Sequence, residues 1–333
     1  VDLGIAQINS RMLSEYVGND PYSKSLGEPV RARFGLNQST EVFFNGSGSY
    51  GLLASILSDL ISPLAVISGV DVVGLGPQFT NVNMLANRAG IEYKPIEPPL
   101  GSSSSEKVGF LIESRRRSKK PSIVYLDNPN NPTGDSLSIG QVEEIARATQ
   151  GKDILVIDEA YGDLVSDDQS AIKLAEKYGH LIVLRSISKG VGLASPRLGY
   201  AVMSEPIAKV YRDIELVFNV DAVTGLLGKI ALNPDILQRF LPIVREKTAE
   251  IKAIITQGLT DSGIKVFPSQ PTVSIFMAQN KGNFYGDLLT VGINSEDGIT
   301  FKPTHMNMDS SLVRVRIPGS INEAEEIIQR VNY

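Results

Sequence analysis

The sequence predicts an α/β protein, with a mostly parallel, doubly wound sheet in a large domain and a smaller α+β domain after it. Three observations carry this. Over the first two hundred or so residues, short β-branched runs bounded by turn residues alternate with segments of helical period, the pattern of strands joined by crossover helices. Past Ser204 the texture turns to helix, and residues 263–333 return to short strands with two helices.

In chain order, strands are expected at residues 42–44, 65–68, 122–126, 154–157, 181–184 and 198–202, each an apolar run rich in Val, Ile and Leu. Helices over 49–60 and 138–149 fall between them, and a sheet wound in this way offers ligands the carboxyl ends of its strands. Further helices are expected at 206–218 and 222–232. The next, 235–262, repeats Leu237, Phe240, Leu241, Val244, Thr248, Ile251 and Ile255 at spacings of three and four, one face of a helix long enough to bridge two domains. An amphipathic helix at 322–331 comes last. The expected domains are therefore 25–235, large and α/β, and 1–24 with 236–333, small and α+β.

Composition removes several classes of function. A chain of 333 residues that is 42% hydrophobic and 21% charged can bury a large core and is not disordered. With Lys+Arg 32 against Asp+Glu 37, no surplus of positive charge is available to follow a phosphate backbone, so no nucleic-acid partner is expected. The one basic run, Arg115-Arg116-Arg117 with Lys119 and Lys120, reads as a solvated helix end. The absence of cysteine removes disulfides, thiolate metal sites and cysteine nucleophiles. His180 and His305 alone do not suggest a metal site or a Ser-His-Asp triad, and no metal is expected. The longest apolar stretch, 52–73, is broken by Asp59, Ser62, Pro63 and Asp71, so no membrane span is expected. Lack of cysteine and of a leader pattern suits the cytoplasm.

Four segments carry chemistry, each at the end of an expected strand. Asn45-Gly46-Ser47-Gly48-Ser49-Tyr50-Gly51 opens a helix, and its glycines and helix N-terminus suit a phosphate. Gly46, Gly48 and Gly51 also satisfy G-x-G-x-x-G, with Asp71 further on as a ribose partner, so an NAD(P) oxidoreductase is a second reading, and a plain turn a third. Asp127-Asn128-Pro129-Asn130-Asn131-Pro132-Thr133-Gly134 is a stiff turn that sets amide donors at the sheet's edge. In Ile157-Asp158-Glu159-Ala160-Tyr161 an apolar strand ends in a carboxylate, which needs a cation or a hydrogen-bond donor, or else caps a helix. In Ser186-Ile187-Ser188-Lys189, with Arg197 eight residues after the lysine, the hydroxyls and the guanidinium suit a phosphate; the lysine, if held among apolar residues, suits a Schiff base.

Together, in this order, the Asn-Pro-Thr-Gly, Asp-x-x-Tyr and Ser-x-Ser-Lys segments followed by Arg resemble the fold type I enzymes that use pyridoxal 5'-phosphate (PLP). More narrowly they resemble class I/II aminotransferases, on the side of histidinol-phosphate aminotransferase and threonine-phosphate decarboxylase, over roughly residues 22–332. The resemblance implies an aminotransferase that moves an amino group between an amino acid and a 2-oxo acid or aldehyde by ping-pong half-reactions, with a PLP lyase as the alternative. It implies that Lys189 carries the cofactor and shuttles the substrate's proton, that Asp158 pairs with the pyridine nitrogen, and that Asn131 and Tyr161 bond the 3′-oxygen. Ser47, Gly48, Ser186, Ser188 and Arg197 would hold the phosphate, Phe79 would stack on the ring, and Arg314 would grip the substrate carboxylate, although Arg316 shares its strand face. A homodimer is implied, with Tyr22, or else Tyr16, reaching the partner's cofactor phosphate.

Three departures bear on the substrate. The sequence starts at Val1, where relatives carry a longer covering arm, and the Gly-Ser-Gly-Ser loop lacks their acidic pair. Their Gly-Ile-x-Val-Arg is here Gly298-Ile299-Thr300-Phe301-Lys302, so a point charge replaces a guanidinium fork at the position expected to read an acidic distal group.

Overall fold

Two sheets organise the chain in the computed structural model, which describes residues 19–63, 68–293, 296–297 and 310–332. The strands of the larger sheet are β1 (Val42–Asn45), β2 (Asp71–Leu75), β3 (Tyr93–Ile96), β4 (Ser122–Asp127), β5 (Ile154–Glu159), β6 (Leu181–Ser186) and β7 (Gly199–Met203), in the order β1-β7-β6-β5-β4-β2-β3. From β3 to β6 neighbours run parallel; β7 is antiparallel to β6 and β1 to β7. The central strands are apolar along their length because both of their faces are covered. Val124, Leu126, Leu155, Ile157 and Val183 point into one core and Ile123, Tyr125, Val156, Ile182 and Leu184 into the other, the alternation that a pleated strand imposes.

The helices are α1 (Asn19–Phe34), α2 (Gly48–Ser55, continued by a π-helical segment Ile56–Ile61), α3 (Asn81–Arg88), α4 (Ser104–Arg117), α5 (Ile139–Thr149), α6 (Leu174–Lys177), α7 (Glu205–Ile214), α8 (Ala222–Ala231), α9 (Pro234–Asp261), α10 (Phe284–Thr290) and α11 (Ile321–Val331). Local chemistry sets several starts. Ser103 and Ser138 begin α4 and α5 with capping boxes to Glu106 and Gln141, and each such cap contributes about 1 kcal/mol. Asn233 caps α9, where Pro234 takes the first-turn position that lacks an amide partner in any case.

The second sheet, of β8 (Lys265–Val266), β9 (Ile275–Gln279), β10 (Glu296–Asp297) and β11 (Leu312–Arg316), is antiparallel in the order β10-β11-β9-β8. Its core joins Phe276, Ala278, Val313 and Val315 to Ile251, Ile255 and Leu259 of α9 and Ala324 of α11.

Two strands lie where the sequence did not suggest them. Of the expected strand 65–68, residues 65–67 lie outside the described residues and Ser68 is helical; the strand is β2, which contains Asp71 and Gly74. Both residues fit there. Asp71 accepts from Ser122 and pairs with Lys94 at 2.9 Å, and Gly74 leaves room for the Gln78 side chain, whose Nε2 would stand 2.2 Å from a Cβ. The strand β3 carries Lys94 and Pro95, which an edge position tolerates. The helix expected at 206–218 stops at Ile214, and Phe218 lies in left-handed backbone with φ of 62°.

The basic run is not wholly solvated. Arg115 is buried and pairs with Asp153 at 2.7 Å, whereas Arg116 and Arg117 are exposed. A larger charge network lies under the carboxyl ends of β5 and β6. Arg185 is 1% exposed and contacts Glu159 at 2.7 Å and Asp163 at 2.5 Å; Arg33 of α1 reaches Asp163 at 2.9 Å and Asp167 at 2.7 Å. From α9, Arg245 donates to the Asp163 carbonyl at 3.0 Å. Removing one member of such a buried set leaves a charge uncompensated, typically a loss of about 3–5 kcal/mol. The turn at Gly190 packs on this base, since a Cβ there would stand 2.2 Å from that of Asp163.

Candidate active site

The strand ends converge on a cavity of about 410 Å³. The loop after β2 delivers Phe79, β4 ends in Asp127 and its turn supplies Asn131, β5 ends at Asp158 with Tyr161 beyond, and β6 delivers Ser186, Ser188 and Lys189. Arg314 enters from β11, so the smaller sheet supplies one wall.

At one end the groups suit an oxyanion. Ser186 Oγ donates to Ser188 Oγ at 2.9 Å, and the Arg197 guanidinium lies 3.5 Å from Ser188 Oγ and 3.4 Å from the Ser47 carbonyl. Gly48, at the start of α2, has φ of 77°, and a Cβ there would lie 3.0 Å from Arg197 Nη2. Arg197 itself has φ of 57°, a left-handed conformation that few non-glycine residues adopt. Loop amides, two hydroxyls and a guanidinium around a helix N-terminus form a cradle with the donors a phosphate needs.

At the other end Asp158 is buried. Its carboxylate accepts from the Ala160 amide at 2.9 Å and the Tyr125 hydroxyl at 3.1 Å, and no ion pair to it forms among the described residues. Burial is the main reason its carboxyl is pushed up to about 6; the two donors oppose the shift and Glu159 adds to it. A buried carboxylate facing a cavity without a cation is the partner that a protonated ring nitrogen requires.

Lys189 is exposed to the cavity, so the apolar surroundings that the sequence reading made a condition for a Schiff base are not what it meets; the glycine-containing turn carries it past the last buried residue of β6. Its ammonium lies 5.5 Å from the centre of the Tyr161 ring. Partial burial lowers its proton affinity, and the positive charges of Arg316, Arg314 and Arg197 lower it further. Arg314 is buried and donates from Nη1 to Asn131 Oδ1 at 2.9 Å, whereas Arg316 on the same strand is exposed, so it is Arg314 that lines the cavity.

Of the residues singled out in the sequence, Phe79, Asn131, Asp158, Tyr161, Ser186, Ser188, Lys189, Arg197 and Arg314 line this one space, with Ser47 and Gly48 at its phosphate-like end. Tyr22 is helical in α1, with its side chain outside the described residues; Tyr16 and Lys302 lie outside them altogether. Asp71 stands at the opposite end of its strand, bonded to Ser122 and Lys94. Gly46 and Gly51 face the Asn219 carbonyl and the Asn45 side chain, each 2.4 Å from a would-be Cβ, so the dinucleotide reading of this loop is set aside. Sequence reasoning missed Tyr125, whose signal was its place two residues before Asp127 on a strand adjoining that of Asp158. It also missed the Arg185 network, since no local pattern joins α1 to β6.

Strand-end groups gathered around an anion cradle, a cavity-facing lysine and a buried acid define a cofactor-dependent transferase of the α/β class. The model of the family "Aminotransferase class I and II" matches residues 19–331, and the chain belongs to that family. It is a PLP-dependent aminotransferase of fold type I. Among curated relatives, a histidinol-phosphate aminotransferase of Thermoanaerobacter sp. (strain X514) is 29% identical over 279 residues, covering 84% of this chain and 74% of that protein. Among solved structures, the histidinol-phosphate aminotransferase of Sinorhizobium meliloti, in complex with PLP, has a TM-score of 0.79 at 21% identity, covering 99% of this chain and 85% of that one. The L-threonine-O-3-phosphate decarboxylase of Porphyromonas gingivalis has a TM-score of 0.77 at 16% identity, covering 99% and 93%. Among the described residues, no helix is long and apolar enough to cross a membrane and no cluster suits a metal ion.

Proposed function

We propose that this cavity transfers the amino group of an amino acid bearing an anionic distal group to a 2-oxo acid or aldehyde, with Lys189 as the covalent attachment point of PLP. The observation that carries the reading is the joint presence, around one space, of Lys189, the cation-free Asp158, the Ser186–Ser188–Arg197 cradle and the buried Arg314 guanidinium. Bound there, PLP supplies an electron sink for negative charge at the substrate's α-carbon. The chain's own residues do the rest. Arg314, already oriented by Asn131, binds the substrate carboxylate and so fixes the α-carbon near Lys189. The Lys189 amine, its basicity lowered by partial burial and then by the surrounding arginines, would take the α-proton and return it on the cofactor side. Asp158 holds a proton at the ring nitrogen, Asn131 and Tyr161 donate to the 3′-oxygen, and Phe79 covers a ring face. Ser186, Ser188, Arg197 and the amides of Ser47 and Gly48 retain the phosphate, and Lys302 reads the distal anion.

A screen of amino acids, each added alone to PLP-loaded protein, tests this. The best donors are expected to be acidic or phosphorylated, converting the bound cofactor's absorption with one oxo product per site. Release of carbon dioxide without an oxo product would make the enzyme a lyase instead. The domain reading is kept as 25–235 and the remainder, with α9 as the bridge; separate cores support it, although α1 crosses residue 25 and lends Leu26, Val30 and Phe34 to the large core. We assign the enzyme to the cytoplasm, where free amino acids and oxo acids are its small-molecule substrates.

A homodimer is part of the proposal, with Tyr22 reaching the partner's cofactor phosphate. Two apolar patches support it. Leu216, Val217 and Phe218 are 63%, 68% and 55% exposed directly before Asn219, whose carbonyl accepts from Gly46 of the phosphate loop at 2.9 Å. Ile236, Phe240 and Ile243 repeat on an exposed face of α9. Such exposure suits a second copy better than water. Sedimentation velocity is expected to give a dimer, and a fully active monomer would remove both the dimer and the role of Tyr22.

A further inference from the structure

We propose that Asp127 is a positioning residue for the cofactor, fixing Phe79 and Asn131 by tying the loop after β2 to the turn after β4. This rests on the reading above, in which Phe79 and Asn131 touch PLP.

Asp127 ends β4 and is the register partner of Asp158 on β5. Its Oδ2 accepts two backbone amides, from Phe79 at 3.0 Å and from Asn131 at 2.9 Å. Its Oδ1 accepts from Asn130 Nδ2 at 2.8 Å, and that same amide donates to the Pro77 carbonyl at 2.7 Å. An aspartate that only shaped its own turn would bond Asn130 and Asn131. The bond to Phe79, 48 residues away in sequence, goes beyond a turn.

The donors around Asp127 fix which chemical form can do this. Three donors, none of them a cation, converge on one side chain, and an ionised carboxylate, which only accepts, satisfies all three. Burial pushes the Asp127 carboxyl up to about 7 and the nearby Asp158 charge adds to the shift, while the three donors pull it back. An asparagine at 127 could not substitute. Its amide nitrogen would face either the two backbone amides or the Asn130 Nδ2. Asn130 cannot turn over to meet it, because its Oδ1 accepts from Thr133 N at 3.1 Å and Thr133 Oγ1 at 2.6 Å. In either orientation a donor meets a donor, and one loop must open.

The consequence reaches both faces of the site. Phe79 is held through its amide, so its ring position follows Asp127. Asn131 is held through its amide while its side chain accepts from Arg314, so the substrate-side guanidinium follows as well.

Equilibrium binding of PLP, with visible circular dichroism of the cofactor at saturation, compares Asp127→Asn with wild type. The dissociation constant is expected to rise by about tenfold or more, the scale of lost charge-assisted hydrogen bonds. The dichroism per bound cofactor is expected to fall, since that signal reports a fixed ring orientation. A general loss of stability would lower the melting temperature and leave the dichroism of the bound fraction unchanged. If wild type binds PLP while Asp127→Asn matches it in both affinity and dichroism, the positioning role is wrong and the site stands. If wild type takes no PLP on Lys189, the reading of the site fails first. Should Asp127→Asn not fold, Asp127→Ala removes all three acceptor bonds without setting a donor against a donor; the dichroism per bound cofactor should fall, and wild-type affinity and dichroism there would overturn the role.

Discussion

Lys189→Ala is expected to bind PLP and to lose transamination, with the rate falling by about 10²–10⁴-fold from the missing proton transfer alone. Affinity should fall less, because the cradle of Ser186, Ser188 and Arg197 and the Asp158 carboxylate stand on strand ends that the substitution leaves in place. The turn should also survive: Gly190 seats on Asp163, and the network of Arg185, Glu159 and Arg33 below is independent of the lysine. Borohydride reduction of wild-type holoenzyme, followed by peptide mapping, checks the assignment. Label on Lys189 is expected; label on another lysine would move the attachment point. Lys252 is the informative control. Burial holds its amine down at about 7, yet its Nζ donates to the carbonyls of Gln270, Val273 and Ile275 at 2.7, 2.9 and 3.0 Å and does not line the cavity. Low proton affinity alone does not make a lysine reactive; access to the cavity does.

That contrast shows where the sequence was legible. The motifs at Asn131, Asp158 and Lys189 stand at the ends of apolar runs, and a parallel sheet brings such ends together without any knowledge of side-chain packing. Alternation and apolarity marked β4, β5 and β6 for the same reason. The strand β2 was illegible because its Asp71 and Gly74 break the apolar pattern, and each is explained only by a partner outside the strand: Ser122, far along the chain, for Asp71, and the folded-back amide of nearby Gln78 for Gly74. The tie from Asp127 to Phe79 and the Arg33–Asp163 pair joining α1 to the segment after β5 were hidden likewise, since spacing reveals neighbours on one element and not across two. At Lys189 the motif and the surroundings part. The motif marked the residue but not its surroundings: partial burial depresses its basicity, and so do three arginines, two of them, Arg314 and Arg316, from a strand more than a hundred residues away.

Asp158→Asn is expected to lower kcat by about 10²–10³-fold, the scale of losing one preorganised electrostatic group in a water-poor site, while cofactor affinity changes far less. The carboxylate is buried beside two neutral donors, and its carboxyl, at about 6 without a cationic partner, shows how poorly that pocket tolerates an isolated negative charge. A protonated ring nitrogen relieves this, and the attraction is mutual: the charge that makes Asp158 costly alone holds the proton on the nitrogen once the pair forms. Asparagine keeps the shape and can still accept from the Ala160 amide, but it offers no negative charge to hold that proton. The loss should therefore appear mainly where negative charge develops at the substrate, which is the chemical step. Single-turnover kinetics at saturating PLP and amino donor separates these quantities. A mutant with wild-type kcat would show that the proton on the nitrogen is held by something else, and Asp158 would revert to a buried strand-end acid bonded to Tyr125 and the Ala160 amide.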